Sequence, residues 1–189
     1  GAGAEETLLE IAAAACDEIH QSERETRMMT AATKISALHE SGLRMIACRD
    51  PAEVGRLATA AAALVLEADH AVLRLRDDTT GRFVIRSYHG PADGRDQERL
   101  FRLDRVVSLD ALKRRGLVSA ADLSADAALR DLAGGVRSML ASPLRRDGRP
   151  IGTLSLYDRV SGDRFYPEAF DDDDATLFSK LVAMVERAL

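Results

Sequence analysis

The stretch Leu140–Arg159 reads LASPLRRDGRPIGTLSLYDR. Asp147-Gly148 is a strong two-residue hairpin turn between two apolar runs. Residues 138–146 and 151–158 are therefore expected to pair as antiparallel strands. Pro143 lacks the N–H that a ladder uses, which places it on a sheet edge or at a bulge. In the return strand Gly152, Leu154 and Leu156 share one face, and Ile151, Thr153, Ser155 and Tyr157 share the other. The first face suits a close helix: Gly152 admits it and the leucines fill the gap. The second carries three hydroxyls, which a sealed core has to satisfy. Ser138 and Ser142 alternate with Met139 and Ala141 in the same way. One face of this hairpin is expected to be core, and the other the floor of a pocket.

Upstream, the period also changes to two at Ala71, Leu73 and Leu75, which alternate with Val72, Arg74 and Arg76. The turn Asp77–Gly81 (DDTTG) leads to a second run, Arg82–Tyr88, with Phe83, Ile85 and Ser87 expected on one face. Before this hairpin, Asp50-Pro51 starts a helix, with Asp50 as cap and Pro51 in the first turn. Its apolar face is Val54, Leu57, Ala58, Ala61, Leu64 and Val65. The first 48 or so residues also read as helix. Leu8, Ala12, Ala15 and Ile19 form a narrow stripe suited to pairing with another helix. A second stripe, Met28 to Met45, suits packing against the chain's own domain. The polar run Gln21–Arg27 between them is either one helix crossing solvent or the junction of two.

Between the hairpins, residues 90–135 are less regular. Ser108–Arg115 is expected to be a short helix capped by Ser108, Leu117–Ser119 a short strand, and Asp126–Leu132 a helical turn. Forty-odd residues of short elements are long for a mere connection, and such a segment usually covers something. A last helix is expected from about Pro167 to Leu189, with Phe170, Leu177, Leu181, Met184 and Ala188 on one face.

The 189 residues fit one domain plus an appended helix, divided at residues 1–35 and 36–189. At 46% apolar residues a core is ample, and a net charge of −5 speaks against a nucleic-acid surface. The longest apolar run, Leu57–Leu66, is far short of the ~20 residues of a membrane span. No signal peptide is expected after the acidic Glu5 and Glu6, and the setting is read as cytoplasmic. The two cysteines, Cys16 and Cys48, make neither a disulfide framework nor a metal site.

Four stretches, in this order, resemble the GAF domain, a small-molecule sensor and dimerisation module of signalling proteins. They are ADHAV with LRLRDDTTGRF (68–83), GLVSAADLSAD (116–126), VRSMLASPL with IGTLSLY (136–157), and the helix after Phe170. The resemblance covers about residues 36–189. It implies an α+β fold, related to PAS domains. An antiparallel β-sheet carries N- and C-terminal helices on one face, while short helices and loops cover a pocket on the other. A dispersed signature of the cyclic-nucleotide-binding members maps onto Asp158, Arg159, Phe170, Asp174 and Ala175. Only Phe170 and Asp174 agree with it, and Arg159 keeps a positive charge. In the family these positions form a structural ion-pair lock.

The candidate ligand-binding residues are Ser87, His89, Arg137, Ser138, Ser142, Thr153, Ser155 and Tyr157. His89 ends a strand where the cover begins and could ligate iron or bond a ligand. The plainer reading is a solvent-exposed loop histidine. Arg86, Arg105 and Arg137 near the rim could fork an anion. Asp171–Asp174 point around a helix axis rather than at one ion, and match the helix dipole. No metal, catalytic group or cofactor is assigned.

These readings lead to a non-catalytic, bacterial GAF sensor domain of a signal-transduction protein such as a two-component kinase, a cyclase or phosphodiesterase, or a transcriptional activator. A small molecule binds between sheet and cover, and the terminal helices relay the change in a homodimer. The alternative is a ligand-free dimerisation and relay module. A GAF-type methionine sulfoxide reductase is a distant third, because both cysteines lie in the N-terminal helices.

Overall fold

The computed structural model describes residues 2–91, 94–160 and 168–189, with the side chains of residues 2–19, 23, 24, 27, 94 and 95 outside that description. Helix α1 (Ala2–Ala47) is continuous through the polar run Gln21–Arg27. It is shared between two compact units, Gly1–Ser36 and Ala37–Leu189. In the first unit the Thr26, Thr30 and Thr33 hydroxyls donate to carbonyls one turn back, and Met28, Met29 and Ile35 are exposed. The stripe Leu8 to Ile19 and Cys16 lie outside the described side chains.

In the second unit α2 (Pro51–Val65) begins as expected. Asp50 caps it by accepting from the Ala52 N–H, and Pro51 opens the first turn. Strands β1 (Ala68–Arg76) and β2 (Phe83–His89) follow as a hairpin. Next come α3 (Gly94–Arg114), β3 (Val118–Ala120), a 3-10 turn (Leu123–Ala125) and α4 (Arg130–Ala133). Strands β4 (Met139–Arg146) and β5 (Arg149–Arg159) form the second hairpin, and α5 (Asp172–Ala188) ends the chain. The sheet is antiparallel in the order β2-β1-β5-β4-β3.

The sheet has a core on each face. On one side Ala71, Leu73, Leu140, Leu144, Leu154 and Leu156 pack against Leu38 and Met45 of α1, against α2, and against Phe178, Leu181 and Val185 of α5. On the other, Val72, Met139, Ala141 and Tyr157 pack against Leu100, Leu103, Val107 and Ala111 of α3 and against Leu123, Leu129 and Ala133. The helices thus lie on one face and the cover on the other, as the resemblance implied. Among the described residues no helix is long and apolar enough to cross a membrane.

Several elements differ from the sequence reading. Helix α3 is not a short helix capped by Ser108. It starts at Gly94, and Ser108 lies mid-helix. Leu64 is exposed rather than part of the buried face of α2. The buried face of α5 centres on Phe178, Leu181, Val182 and Val185. That helix starts at Asp172, with Asp171 and Asp174 exchanging bonds in a capping box, while Pro167 lies outside the described residues. Arg159 Nε pairs with Asp174 Oδ2 at 2.8 Å and its guanidinium also meets Glu168, tying the end of β5 to the start of α5.

Two bulges reset the strand faces. In the second hairpin Arg145 pairs with Pro150, but Leu144 pairs with Gly152, so Ile151 is the extra residue. In the first, Arg74 pairs with Ile85 but Leu73 pairs with Ser87, so Arg86 is extra. Pro143 sits beyond Ala141, where the β3 ladder ends. This leaves its strand with a partner on one side only, a position that tolerates a missing N–H.

Candidate functional site

The cover-facing floor is written in the register. β1 supplies His70, Val72 and Arg74, paired with Tyr157, Ser155 and Thr153 of β5. Met139, Ala141 and Pro143 of β4 pair with the same three β5 residues from the other side. Helix α3 lies over this floor because Leu100, Leu103, Val107 and Ala111 recur every three or four residues and seek burial. The same face carries two polar residues, Asp104 and Ser108, both almost fully buried.

These side chains form one network. Asp104 Oδ2 accepts from Arg74 Nε at 2.5 Å, and Asp104 Oδ1 accepts from the Tyr157 hydroxyl at 2.8 Å. Arg74 Nη2 also donates to the Phe101 carbonyl at 2.9 Å. The Thr153 hydroxyl donates to Ser108 Oγ at 3.0 Å. Burial pushes the Asp104 carboxyl up, and the Arg74 guanidinium opposes it. Burial also pushes the Tyr157 phenol well above its usual range, with the Asp104 charge adding to the effect. Ser155 Oγ lies close enough to lower the Asp104 carboxyl, yet it makes no hydrogen bond of normal geometry and is fully buried. Buried hydroxyls are normally satisfied, so Ser155 marks the least settled point of the floor.

Beside the network a groove of about 660 Å³ opens between β2 and α3. Phe83, Val84 and Ile85 wall one side, and Leu109 and Leu112 the other. Arg82 and Arg105 line it with Arg74 and Ser108, which belong to both the groove and the network.

A second polar corner lies where β1 begins and β2 ends. The Tyr88 hydroxyl donates to the Pro91 carbonyl at 3.0 Å and lies 3.0 Å from His70 Nδ1. The Asp158 carboxylate accepts from the Arg137 and Ser138 N–H groups. Burial lowers the His70 imidazole below its usual value, and the Asp158, Asp69 and Asp96 charges oppose the shift. The neutral ring is therefore favoured in the folded chain. Between the lowered folded value and the ordinary one, the unfolded chain binds more protons, so stability rises with pH there. We expect this contribution to be whole above about pH 6.5 and to be lost as the pH falls toward the folded value. Tm measured against pH should show the decline in the natural chain and less of it in His70→Asn. Equal slopes in both would overturn the assignment.

Of the residues chosen from sequence, the structure brings together Thr153, Ser155 and Tyr157. Ser87, Ser138 and Ser142 are not with them. Ser87 faces the helix layer and bonds Thr59 of α2 at 2.9 Å. Ser138 Oγ accepts from the Arg159 N–H, and Ser142 lies opposite Leu154 on the helix-facing side. His89 is exposed and pairs with Ala71, and Arg137 is exposed beside the 3-10 turn and α4. Arg86 is exposed and pairs with Asp77. Sequence reasoning missed Asp104, Ser108 and Arg74. The available signal was an acid on the apolar face of a helix whose stripe begins at Leu100. Among the described residues no three potential metal ligands cluster. Cys48 is half-buried and reduced at the corner between α1 and α2, its thiol toward the Asp50 carbonyl.

A family model described as GAF domain matches residues 48–189. No curated protein matches the chain in sequence. Among solved structures, the chain is similar to free methionine-R-sulfoxide reductase from Neisseria meningitidis in complex with its substrate. There the TM-score is 0.64 at 20% identity, covering 84% of this chain and 89% of that one. It is also similar to the GAF domain of an Acinetobacter phosphoenolpyruvate-protein phosphotransferase, with TM-score 0.62, 13% identity, and coverage of 82% and 92%. A methyl-accepting chemotaxis protein fragment gives TM-score 0.59, 19% identity, and coverage of 78% and 93%. At these identities the likeness is one of fold.

Proposed function

The chain belongs to the GAF domain family, and from that premise we propose that it is a regulatory sensor whose small-molecule ligand enters the groove between β2 and α3. The observation that carries this reading is the double use of Arg74 and Ser108. Each lines the groove, and each holds α3 to the sheet through Asp104 or Thr153. A ligand that draws on either group competes with a bond that fixes α3. Thr153, Ser155 and Tyr157 are then the inner floor, reached as α3 shifts. The ligand must bind one α3 arrangement better than the other, and that difference is the signal. The terminal helices carry it in a homodimer, for which the exposed Met28, Met29 and Ile35 of α1 offer apolar surface.

The domain division at residue 36 is part of this proposal, with the first helix as the relay and the remainder as the sensor. Catalysis is not part of it. The sulfoxide reductase resembles this chain in fold, and Cys48 lies between the end of α1 and the start of α2, the helices that pack with α5 rather than with the cover.

One observation favours the ligand-free relay reading. The space directly beneath α3 is filled by the chain itself, with Leu103 and Tyr157 fully buried. A thermal-shift panel of nucleotides, amino acids and organic acids on the full chain separates the two readings. Leu109→Trp fills the groove mouth at an exposed position. It should leave stability within about 0.5 kcal/mol and weaken any binding found by roughly tenfold or more. A panel with no stabilising compound, or a hit indifferent to Leu109→Trp, would sink the groove as the sensing site.

A further inference from the structure

We propose that the groove between β2 and α3 takes a monocarboxylate with an apolar body, an inference that rests on the sensing role above and names its ligand class. The walls Phe83, Ile85, Leu109 and Leu112 offer hydrocarbon, and the hydroxyl of the lining, Ser108, is already engaged by Thr153. The charged residues of the groove are all arginine, and no acid lines it. Arg74 is already neutralised by Asp104. Arg82 and Arg105 make no ion pair or side-chain hydrogen bond among the described residues. On α3 the positions three and four away from Arg105 are Phe101, Arg102, Ser108 and Leu109, so no carboxylate neutralises it along the helix.

Two uncompensated guanidinium groups over an apolar slot repel a cation and attract an anion, and Arg forks are shaped for carboxylate. A nucleotide is the poorer match, since most of its ribose hydroxyls would lose water against Leu109 and Leu112, with the Ser108 hydroxyl already bonded to Thr153. The groove volume of about 660 Å³ is suited to a molecule with an aromatic ring or a chain of several carbons.

The test is calorimetric titration of the full chain with 4-phenylbutyrate, decanoate and indole-3-acetate, with the primary amide of each, and with AMP. At least one carboxylate is expected to bind at least about tenfold tighter than its amide and to weaken with salt. Arg82→Gln and Arg105→Gln, both exposed and checked for folding by circular dichroism, should each lower carboxylate affinity about tenfold and leave the amide unchanged. Amides that bind as well as acids, with both lost in Leu109→Trp, would overturn the carboxylate class and leave the sensing groove standing. So would tighter binding of AMP. No binding by any probe, together with a silent thermal-shift panel, would remove both this inference and the sensing role.

Discussion

Asp104→Ala is expected to destabilise the Ala37–Leu189 unit by about 3–5 kcal/mol, lowering Tm by roughly 10 °C or more. The cost comes from what remains. Asp104 is fully buried, and its removal leaves the guanidinium of Arg74, a side chain only 9% exposed, without its counter-charge. Tyr157, also fully buried, loses the Asp104 oxygen that accepts from its hydroxyl. Helix α3 loses both of the bonds that Asp104 makes to the floor. The attraction itself is not what matters most, because desolvating two charges offsets much of it. The double variant Asp104→Leu with Arg74→Met removes the stranded charge and should therefore recover the larger part of the loss, the remainder being about 1–3 kcal/mol for the Tyr157 hydroxyl left without its acceptor. Denaturant unfolding of Asp104→Leu, Arg74→Met and the double variant measures the coupling. A cost below about 1 kcal/mol for Asp104→Ala would mean that the pair is hydrated and that α3 is not held through it.

Gly152→Ala is the second large effect, expected at about 3 kcal/mol, the upper part of the overpacking range. A Cβ at Gly152 would stand 2.2 Å from the Arg74 carbonyl oxygen and 2.8 Å from Leu75 Cδ2. The nearer atom is backbone of the neighbouring central strand, so no side-chain rotation relieves the clash. The sequence had suggested a helix approaching this glycine. The close neighbour is β1 instead, and the glycine sits beside the bulged Ile151, where β5 is bent. Gly116→Ala is the matched control. Its Cβ would meet nothing nearer than 3.9 Å, and its φ is not in the left-handed region. It should change stability by no more than about 0.5 kcal/mol. A mild Gly152→Ala variant would show that the central strands can part, which the close pairing of β1 with β5 argues against.

The fold was largely legible. Asp147-Gly148 and Asp77–Gly81 each set a hairpin, Asp50-Pro51 began α2, and the family order followed from these. Helix α3 was only half legible. Its stripe from Leu100 to Ala111 is plain in hindsight, but Asp104 and Ser108 interrupt it with polar groups that usually mark surface or caps. Their burial is possible only because Arg74, Tyr157 and Thr153 arrive from strands 30 or more residues away in sequence. No local pattern contains that fact.

The candidate site shows the same division. Period-two alternation grouped Thr153, Ser155 and Tyr157 as they are found, because β5 is unbroken from Gly152 onward; it also grouped Ile151 with them, which the bulge turns toward the helix layer. Carrying faces from strand to strand failed. An unbulged Asp147-Gly148 hairpin, continuing from the Arg146–Arg149 pair, would set Ser142 opposite Thr153 and Ser138 opposite Tyr157. The extra Ile151 moves the register by one, so Pro143 and Met139 take those places, Ser142 turns to the helix layer and Ser138 falls before the start of β4. Arg86 does the same to Ser87, which is why Ile85 faces the cover and Ser87 faces Thr59. The sequence alone determined which residues are strand, where the hairpins turn and which residues share a face within an unbroken strand, because those follow from local turn chemistry and the pleat. Only the tertiary structure decided which hydroxyls meet under α3, because a one-residue bulge costs little locally and is selected by how both faces of the sheet pack.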